Sequence, residues 1–226
     1  MEHYQSYYNI MAAAMVRGSL EQQKNTSHLF QKKLEDLNPE EINELILIGL
    51  RKNMSLDVLK RRIDSPEITK VMGFLRGIQP DNLLDISEPQ GSFIWRVMDE
   101  FRFLPATVVD IDSQYAELAK FMHKGGVTNI RGQQTPLTDM SCFSNEQFDV
   151  VTLLDVLQHV QEGEKILLEI CRITKRFVIC VVPLKPDPQH KSAFTEHSLR
   201  AIFKKKDIHQ FKVEVIRNSL VMVARK

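Results

Sequence analysis

The sequence has little of what marks several specialised protein classes. Its three cysteines, Cys142, Cys171 and Cys180, are an odd number without paired spacing, so neither a disulfide framework nor a metal site is expected. Thirty basic residues nearly balance twenty-nine acidic ones, which leaves a net charge of +1. A chain without a charge excess has no electrostatic attraction to nucleic acid or to a membrane surface.

Long apolar runs are also absent. The longest, FVICVVPL at residues 177–184, is far too short to cross a bilayer. The first residues lack the basic segment that precedes the apolar core of a signal peptide. We therefore expect no membrane association, reduced cysteines and a cytoplasmic location.

What is present is an ordinary globular composition. Hydrophobic residues make up 43% of the chain and charged residues 26%, which predicts an ordered protein. A length of 226 residues suits one large domain or a domain with an appendage.

Residues 1–78 have the apolar periodicity of successive helices. Asn38, followed by a proline and two glutamates, is a strong helix start, and Ser65 with Pro66 repeats that signal. Ser55 predicts another start. Three of the four tyrosines lie within the first eight residues. The region is interpreted as a helical extension packed on the main domain, or as a lid that shapes a substrate pocket.

From residue 79 to residue 226 the pattern changes to alternating strands and helices. Five near-continuous apolar runs predict parallel strands covered on both faces: LLDI, ATVVDID, VTNIRG, FDVVTLL and FVICVVP. FKVEVIR and LVMVARK are separated only by Asn218-Ser219, which is too short for a crossover and predicts an antiparallel hairpin. The expected fold is α/β and Rossmann-like, a mostly parallel seven-stranded sheet that ends in a hairpin.

Ligands of such sheets bind outside the carboxyl ends of the strands. The residues that follow the strands are therefore the candidates for a binding site. They are Asp85 and the turn to Gly91 after the first strand, Asp110 after the second, Gln133 and Gln134 after the third, and Leu154 and Asp155 after the fourth.

The stretch NLLDISEPQGSF, residues 82–93, indicates which class of ligand to expect. A nicotinamide-binding turn has its first glycine at the strand end and no acid there, whereas Asp85 stands at this strand end. A carboxylate suits a cofactor with an amine rather than a pyrophosphate. Asp110, about twenty-five residues on, suits the hydroxyls of a ribose. Each acid alone is also typical of a helix cap or an exposed turn.

Residues 80–226 resemble the class I S-adenosylmethionine-dependent methyltransferases. LLDISEPQG resembles the first motif of that family, and VVDIDSQYAELAK resembles the second. FDVVTLLDVLQHV resembles the fourth-strand segment, and FTEHSLRAIF the late helix before the terminal hairpin. The resemblance implies S-adenosylmethionine as cofactor and methyl transfer as the reaction.

The same resemblance implies a role for each strand-end residue. Asp85, with Ser87, Glu88 and Gly91 of the turn, would hold the methionine part of the cofactor. Asp110 would bind the ribose hydroxyls and Ile111 would lie beside the adenine. Gln133 stands where the family usually has an aspartate near the adenine amino group.

Two glycines of the first motif are replaced in this chain by Ser87 and Pro89. Glycine lets the backbone approach a ligand, whereas proline fixes φ and removes a donor, so weaker cofactor binding is expected. The altered turn motivates an alternative, a non-catalytic binding or assembly module with the same fold. A nicotinamide-dependent oxidoreductase is disfavoured because the glycine fingerprint is absent.

Methyl transfer from a sulfonium asks mainly that the acceptor be aligned with the methyl group. A base is needed only for a protonated acceptor, and His159, just after the fourth strand, is the best-placed candidate. Asp155, His190 and His197 are weaker candidates. A small-molecule acceptor is favoured over a macromolecular one, and the acceptor itself is not indicated by the sequence.

Overall fold

The computed structural model describes residues 6–20, 27–59, 64–87, 93–110, 114–185 and 187–226. Its N-terminal part consists of α1 (Tyr7–Leu20), α2 (His28–Gln31), α3 (Pro39–Arg51) and α4 (Pro66–Ile78). Asn38 and Glu41 form a reciprocal capping box at the start of α3. Ser65 accepts from the backbone N–H of Ile68 at the start of α4. Both predicted helix starts are confirmed.

A seven-stranded sheet follows, in the order β3-β2-β1-β4-β5-β7-β6. The neighbouring strands from β3 to β5 pair in parallel, and β7 pairs antiparallel with both β5 and β6. The predicted mixed sheet with a terminal hairpin is therefore confirmed. The strands are β1 (Leu83–Ser87), β2 (Ala106–Asp110), β3 (Ile130–Gly132), β4 (Phe148–Leu154), β5 (Thr174–Pro183), β6 (Gln210–Ile216) and β7 (Ser219–Arg225).

Helices cover both faces of the sheet. One face packs against α1, α4, α5 (Phe93–Glu100) and α6 (Gln114–Lys124), and the other against α7 (Gly163–Ile173) and α8 (Glu196–Lys204). All seven residues of β4 are buried, as a central strand covered on both sides requires.

Helix α1 lies directly against α6. A Cβ added at Gly18 would collide with the carbonyl oxygen of Phe121, and one at Gly125 with the carbonyl oxygen of Ala14. The two helices therefore approach at a distance that only glycine permits. Tyr7, at the other end of α1, has its ring 5.2 Å from the guanidinium carbon of Arg102, which follows α5. Burial raises the pKa of the Tyr7 phenol.

The loops that enter the strands form the amino edge of the sheet, where an ion pair between a buried aspartate and a half-exposed arginine joins β4 to β5. Asp149 is 2% exposed and accepts two hydrogen bonds from the Arg176 guanidinium, each 2.5 Å long. Asp149 also accepts from the backbone N–H of Asp81. These donors, Arg176 first, lower the pKa of the Asp149 carboxyl. The pair ties the start of β4 to β5 and to the end of α4.

Three local predictions need correction. Ser55 does not begin an α-helix within the described residues, because Asp57–Leu59 form a single 3₁₀ turn. The hairpin turn lies one residue earlier than expected, at Arg217-Asn218, since Ile216 pairs with Ser219. β5 begins at Thr174 rather than at Phe177, because Thr174 already pairs with Phe148.

The three cysteines differ in exposure. Cys171 and Cys180 are buried, and that burial raises the pKa of each thiol to about 12, whereas Cys142 is exposed. Among the helices of the described ranges, none combines the length and apolarity needed to cross a membrane.

Candidate functional site

The register of the parallel strands brings three candidate positions to one level. Ser87, the last residue of β1, is paired on one side with Asp110 of β2 and on the other with Leu154 of β4. The backbone N–H of Gln133 donates to the carbonyl of Val108 at 2.9 Å, which extends the same edge toward β3. The strand-end residues expected to form a site therefore converge at the carboxyl edge of the sheet.

Asp85 lies just beneath this edge. Its side chain is completely buried, and Oδ1 accepts a hydrogen bond of 2.6 Å from the hydroxyl of Thr152. Asp85 and Thr152 are directly paired residues of β1 and β4. A buried polar group is costly without a hydrogen-bond partner, and this hydroxyl is one partner of the Asp85 side chain.

Several predicted site residues lie beyond what the structure describes. Glu88, Gly91 and Ile111 are outside the described residues, as is Pro89. Ser87 and Asp110 are placed by their backbones alone, at the ends of β1 and β2. Their proposed contacts remain predictions from the sequence.

The two glutamines follow β3 and differ in exposure. Gln133 is half-buried and Gln134 is exposed. The carboxamide nitrogen of Gln133 donates to the carbonyl of Gln134 at 3.2 Å. This contact places Gln133 at the side of the carboxyl edge that β2 and β3 form.

The turn after β4 contains an unusual backbone conformation. Leu154 is buried at the end of the strand, and Asp155, the next residue, is exposed with a φ of 55°. Aspartate tolerates this left-handed region better than most side chains, but it still carries strain there. The backbone N–H of Asp155 donates to Val181 of β5 at 3.1 Å. The turn is thus held in place by the neighbouring strand.

His159 lies on a 3₁₀ turn, Leu157–His159, directly after that segment. Its ring meets the His190 ring edge to face, with 5.4 Å between the ring centroids. His190 Nδ1 accepts from the backbone N–H of Asp187 at 2.9 Å, which leaves the proton of the neutral ring on Nε2. The structure therefore brings together two of the histidines considered from the sequence.

Hydrogen bonds connect the loop after β5 to the turn after β4. The Gln158 carbonyl accepts from the backbone N–H groups of Lys191 and Ser192, at 2.8 and 3.2 Å. The Ser192 hydroxyl donates to the Val160 carbonyl at 2.7 Å. His197, the other weaker candidate, is exposed on α8.

A cleft of about 380 Å³ opens beside His159. Its walls come from the loop after β3 and from the segments after β4 and β5, and they include Thr135, Thr138 and Lys191. Clefts of this size suit small ligands. Within the described ranges, no three metal-ligating side chains are close enough to hold a metal ion.

Two polar residues of the site were not anticipated. Thr152 interrupts the apolar run FDVVTLL at the position paired with Asp85, and a hydroxyl in a central strand was the available signal. Gln158 is 5% exposed, and its carboxamide oxygen has no hydrogen-bond partner among the residues that the structure describes. No local pattern around Gln158 indicated that this side chain would be buried.

The geometry fits a nucleoside cofactor that carries an ammonium group. A buried carboxylate lies beneath the turn after β1, a second acid ends β2, and amide side chains follow β3. That order runs along one edge of the sheet at the point where strand order reverses, between β1 and β4.

Comparison with known proteins agrees with this geometry. Residues 84–182 match the family model described as a methyltransferase domain. No curated protein is significantly similar to the chain in sequence.

Solved structures of methyltransferases share the fold. A SAM-dependent methyltransferase from Aquifex aeolicus is 16% identical, with a TM-score of 0.51 over 73% of this chain and 99% of its own. Magnesium protoporphyrin IX methyltransferase from Synechocystis, with SAH bound, is 14% identical, with a TM-score of 0.51 over 84% and 89%. A provisionally named O-methyltransferase from Nostoc punctiforme is 13% identical, with a TM-score of 0.56 over 100% and 74%.

Proposed function

We propose that the chain is a class I S-adenosylmethionine-dependent methyltransferase, and that it methylates a small-molecule acceptor at the carboxyl edge of its sheet. The observation that carries the proposal is the alignment of Ser87, Asp110 and Leu154 at one level. Buried Asp85 lies directly below them. When bound, the cofactor supplies an activated methyl group on a sulfonium, so the protein's task is binding and alignment.

Different residues of the carboxyl edge bind different parts of the cofactor. Asp85 and the turn of Ser87, Glu88 and Gly91 hold the methionine part, and the Asp85 carboxylate favours its ammonium group.

The nucleoside end of the cofactor is held further along the edge. Asp110 accepts from the ribose hydroxyls. Ile111 and Leu154 flank the adenine, and Gln133 and Gln134 offer amide groups to its edge. Asp155 faces the cofactor from the turn after β4.

The cleft beside His159 is the proposed acceptor site. Its volume of about 380 Å³ suits a small molecule. His159 takes the proton of an acceptor that is protonated before transfer. The solved neighbours include an enzyme named for a small-molecule substrate, magnesium protoporphyrin IX, which supports the same class.

The N-terminal helices, residues 1–78, are proposed to form an extension that supports residues 79–226 rather than to close over the sulfonium. The supporting observation is the contact of α1 with α6 and of Tyr7 with Arg102, both away from the carboxyl edge.

Calorimetric titration with S-adenosylmethionine and S-adenosylhomocysteine tests the cofactor assignment. Wild-type protein is expected to bind both, and Asp110→Ala to weaken binding about tenfold or more, since two charge-assisted hydrogen bonds are lost. Asp36→Ala removes an exposed acid from a 3₁₀ turn of the N-terminal part and serves as the matched control. Absence of binding at millimolar ligand would favour the non-catalytic binding module instead.

The acceptor assignment is tested with a methyl-labelled cofactor and an extract of small metabolites. Wild-type protein should label a small molecule, and His159→Asn should slow that transfer without changing the cofactor Kd. His197→Asn, at the exposed histidine of α8, should leave the rate unchanged. Label found only in protein or nucleic acid would contradict a small-molecule acceptor.

A further inference from the structure

We propose that Thr152 is a positioning residue for the cofactor, and that it acts by holding the carboxylate of Asp85. This inference rests on the proposed function, because it assigns a task to Thr152 only if S-adenosylmethionine binds at the carboxyl edge. Neither the family match nor the fold comparison assigns this residue a role.

The hydrogen-bond distances identify the acceptor of the Thr152 hydroxyl. Oγ1 lies 2.6 Å from Asp85 Oδ1 and 3.4 Å from the carbonyl oxygen of Leu84. A hydroxyl has one proton to donate, and the shorter contact to a charged oxygen takes it. Thr152 therefore donates to the carboxylate.

The surroundings make this bond more effective than a surface contact. Both side chains are completely buried in the centre of the sheet. Hydrogen bonds to an ionised group are strong in such a low-dielectric interior. Threonine is also stiff at χ1 because its Cβ is branched, so the backbone of β4 fixes the hydroxyl direction. One oxygen of Asp85 is thus held in a defined orientation by the neighbouring strand.

The position of Asp85 links this bond to the cofactor. Asp85 lies two residues before the end of β1, and the turn proposed to hold the methionine part follows directly. A rotated carboxylate there would weaken the attraction to the ligand ammonium. The hydrogen bond from Thr152 opposes that rotation.

A second buried threonine provides a control for purely structural effects. Thr174 is also completely buried, and its hydroxyl donates to the Ile170 carbonyl at 2.6 Å. It lies at the first residue of β5, at the amino edge of the sheet. Loss of either hydroxyl therefore has a similar cost in stability, and only Thr152 is next to the proposed site.

The test compares Thr152→Val, Thr152→Ser and Thr174→Val by calorimetric titration with S-adenosylhomocysteine and by thermal unfolding. Thr152→Val should raise the Kd about tenfold, the effect expected for one hydrogen bond to a charged group. Thr152→Ser, which keeps the hydroxyl, should restore most of the affinity. Thr174→Val should lower the unfolding temperature as much as Thr152→Val does, without changing the Kd.

Asp85→Asn tests whether Thr152 affects cofactor binding through the carboxylate of Asp85. If Thr152 acts through the carboxylate, then Thr152→Val should change the Kd little in an Asp85→Asn background. A tenfold loss in that background too would overturn the inference, as would a Kd for Thr152→Val equal to that of wild type. Should Thr152→Val fail to fold, Thr152→Cys keeps the size with a weak donor and should also raise the Kd. Failure of the wild-type protein itself to bind would overturn the proposed function as well.

Discussion

Each edge of the sheet contains a buried carboxylate, and the two carboxylates accept hydrogen bonds from different kinds of donor. At the amino edge, Asp149 accepts two hydrogen bonds from the guanidinium of Arg176. At the carboxyl edge, Asp85 accepts from the neutral hydroxyl of Thr152. The two acids belong to adjacent strands, β4 and β1, and both are buried almost completely.

The proposed function separates a structural acid, Asp149, from a binding acid, Asp85. A guanidinium neutralises Asp149 and joins two strands, whereas the Thr152 hydroxyl orients one oxygen of Asp85. A carboxylate held at this edge favours the ammonium group of the proposed ligand. Substitutions at the amino edge should therefore change stability, and those at the carboxyl edge should change ligand binding.

The largest loss of stability is expected at Gly125, which follows α6 at the amino edge. Gly125→Ala would drive a Cβ into the carbonyl oxygen of Ala14, which must move. Overpacking against backbone should lower the free energy of unfolding by about 3 kcal/mol. Chemical denaturation measures this loss. The cofactor Kd of the folded variant should be unchanged.

Gly73→Ala is the matched control for this variant. Gly73 lies on α4, and a Cβ there meets no atom of the described residues within 4 Å. Alanine in an open helical position should stabilise the protein by about 0.5–1 kcal/mol. A similar destabilisation by both variants would contradict the close contact between α1 and α6.

Removal of the guanidinium at the amino edge is the next largest effect. Arg176→Met leaves Asp149 buried without its main donor. The expected loss is about 2 kcal/mol, less than for a fully buried pair because the Arg176 side chain is 41% exposed. Arg200→Met, which removes a surface pair with Glu196 on α8, should cost less than about 0.5 kcal/mol. Equal losses of unfolding free energy in the two variants would show that the pair of Arg176 with Asp149 contributes no more to stability than a surface pair.

The same pair predicts a pH dependence of stability. Hydrogen bonds from Arg176 lower the pKa of Asp149 in the folded protein below the ordinary value of 3.8. Its contribution to stability is therefore fully present above that value and is lost as the pH falls through the folded pKa. Wild-type protein should lose more stability than Arg176→Met as the pH is lowered below about 4. Parallel acid-unfolding curves of the two proteins would contradict this expectation.

The smallest effect on stability, and opposite in sign, is expected at the carboxyl edge. Asp155 has a φ of 55°, a conformation that glycine adopts without strain. Asp155→Gly should raise the free energy of unfolding by about 1 kcal/mol while the cofactor Kd rises. Denaturation and calorimetric titration on the same sample measure the two changes. A variant that loses stability and keeps its affinity would place Asp155 with the structural acids.

The sequence predicted the architecture because its signals are local and repeated. Apolar runs located β4 to the residue, and the capping side chain of Asn38 located the start of α3. Such signals come from residues that are adjacent in the sequence, so they can be recognised without knowledge of the tertiary packing.

Features set by pairing between distant residues were harder to predict. Thr174 begins β5 because it pairs with Phe148, and the polar residues Lys175 and Arg176 hide that strand start in the sequence. The hairpin turn moved by one residue because the register of β6 and β7 pairs Ile216 with Ser219.

The candidate site also combines features set by the local sequence with features set by pairing between distant residues. The apolar pattern predicted that β1 ends at Asp85, whereas pairing with β2 and β4 extends the strand to Ser87 and aligns that residue with Asp110 and Leu154. The partner of Asp85 lies sixty-seven residues away in sequence, so only the pairing of β1 with β4 identifies Thr152. The cleft beside His159 likewise depends on loops that meet only in the folded chain.

Hydrogen–deuterium exchange with and without S-adenosylhomocysteine tests most directly whether the ligand binds at the carboxyl edge. Peptides that span residues 83–93, 106–116 and 150–160 should exchange more slowly when the ligand is present. Peptides that span 124–130 and 172–178, at the amino edge, should exchange at an unchanged rate. Protection confined to the amino edge, or no protection at saturating ligand, would contradict the division between a structural edge and a binding edge.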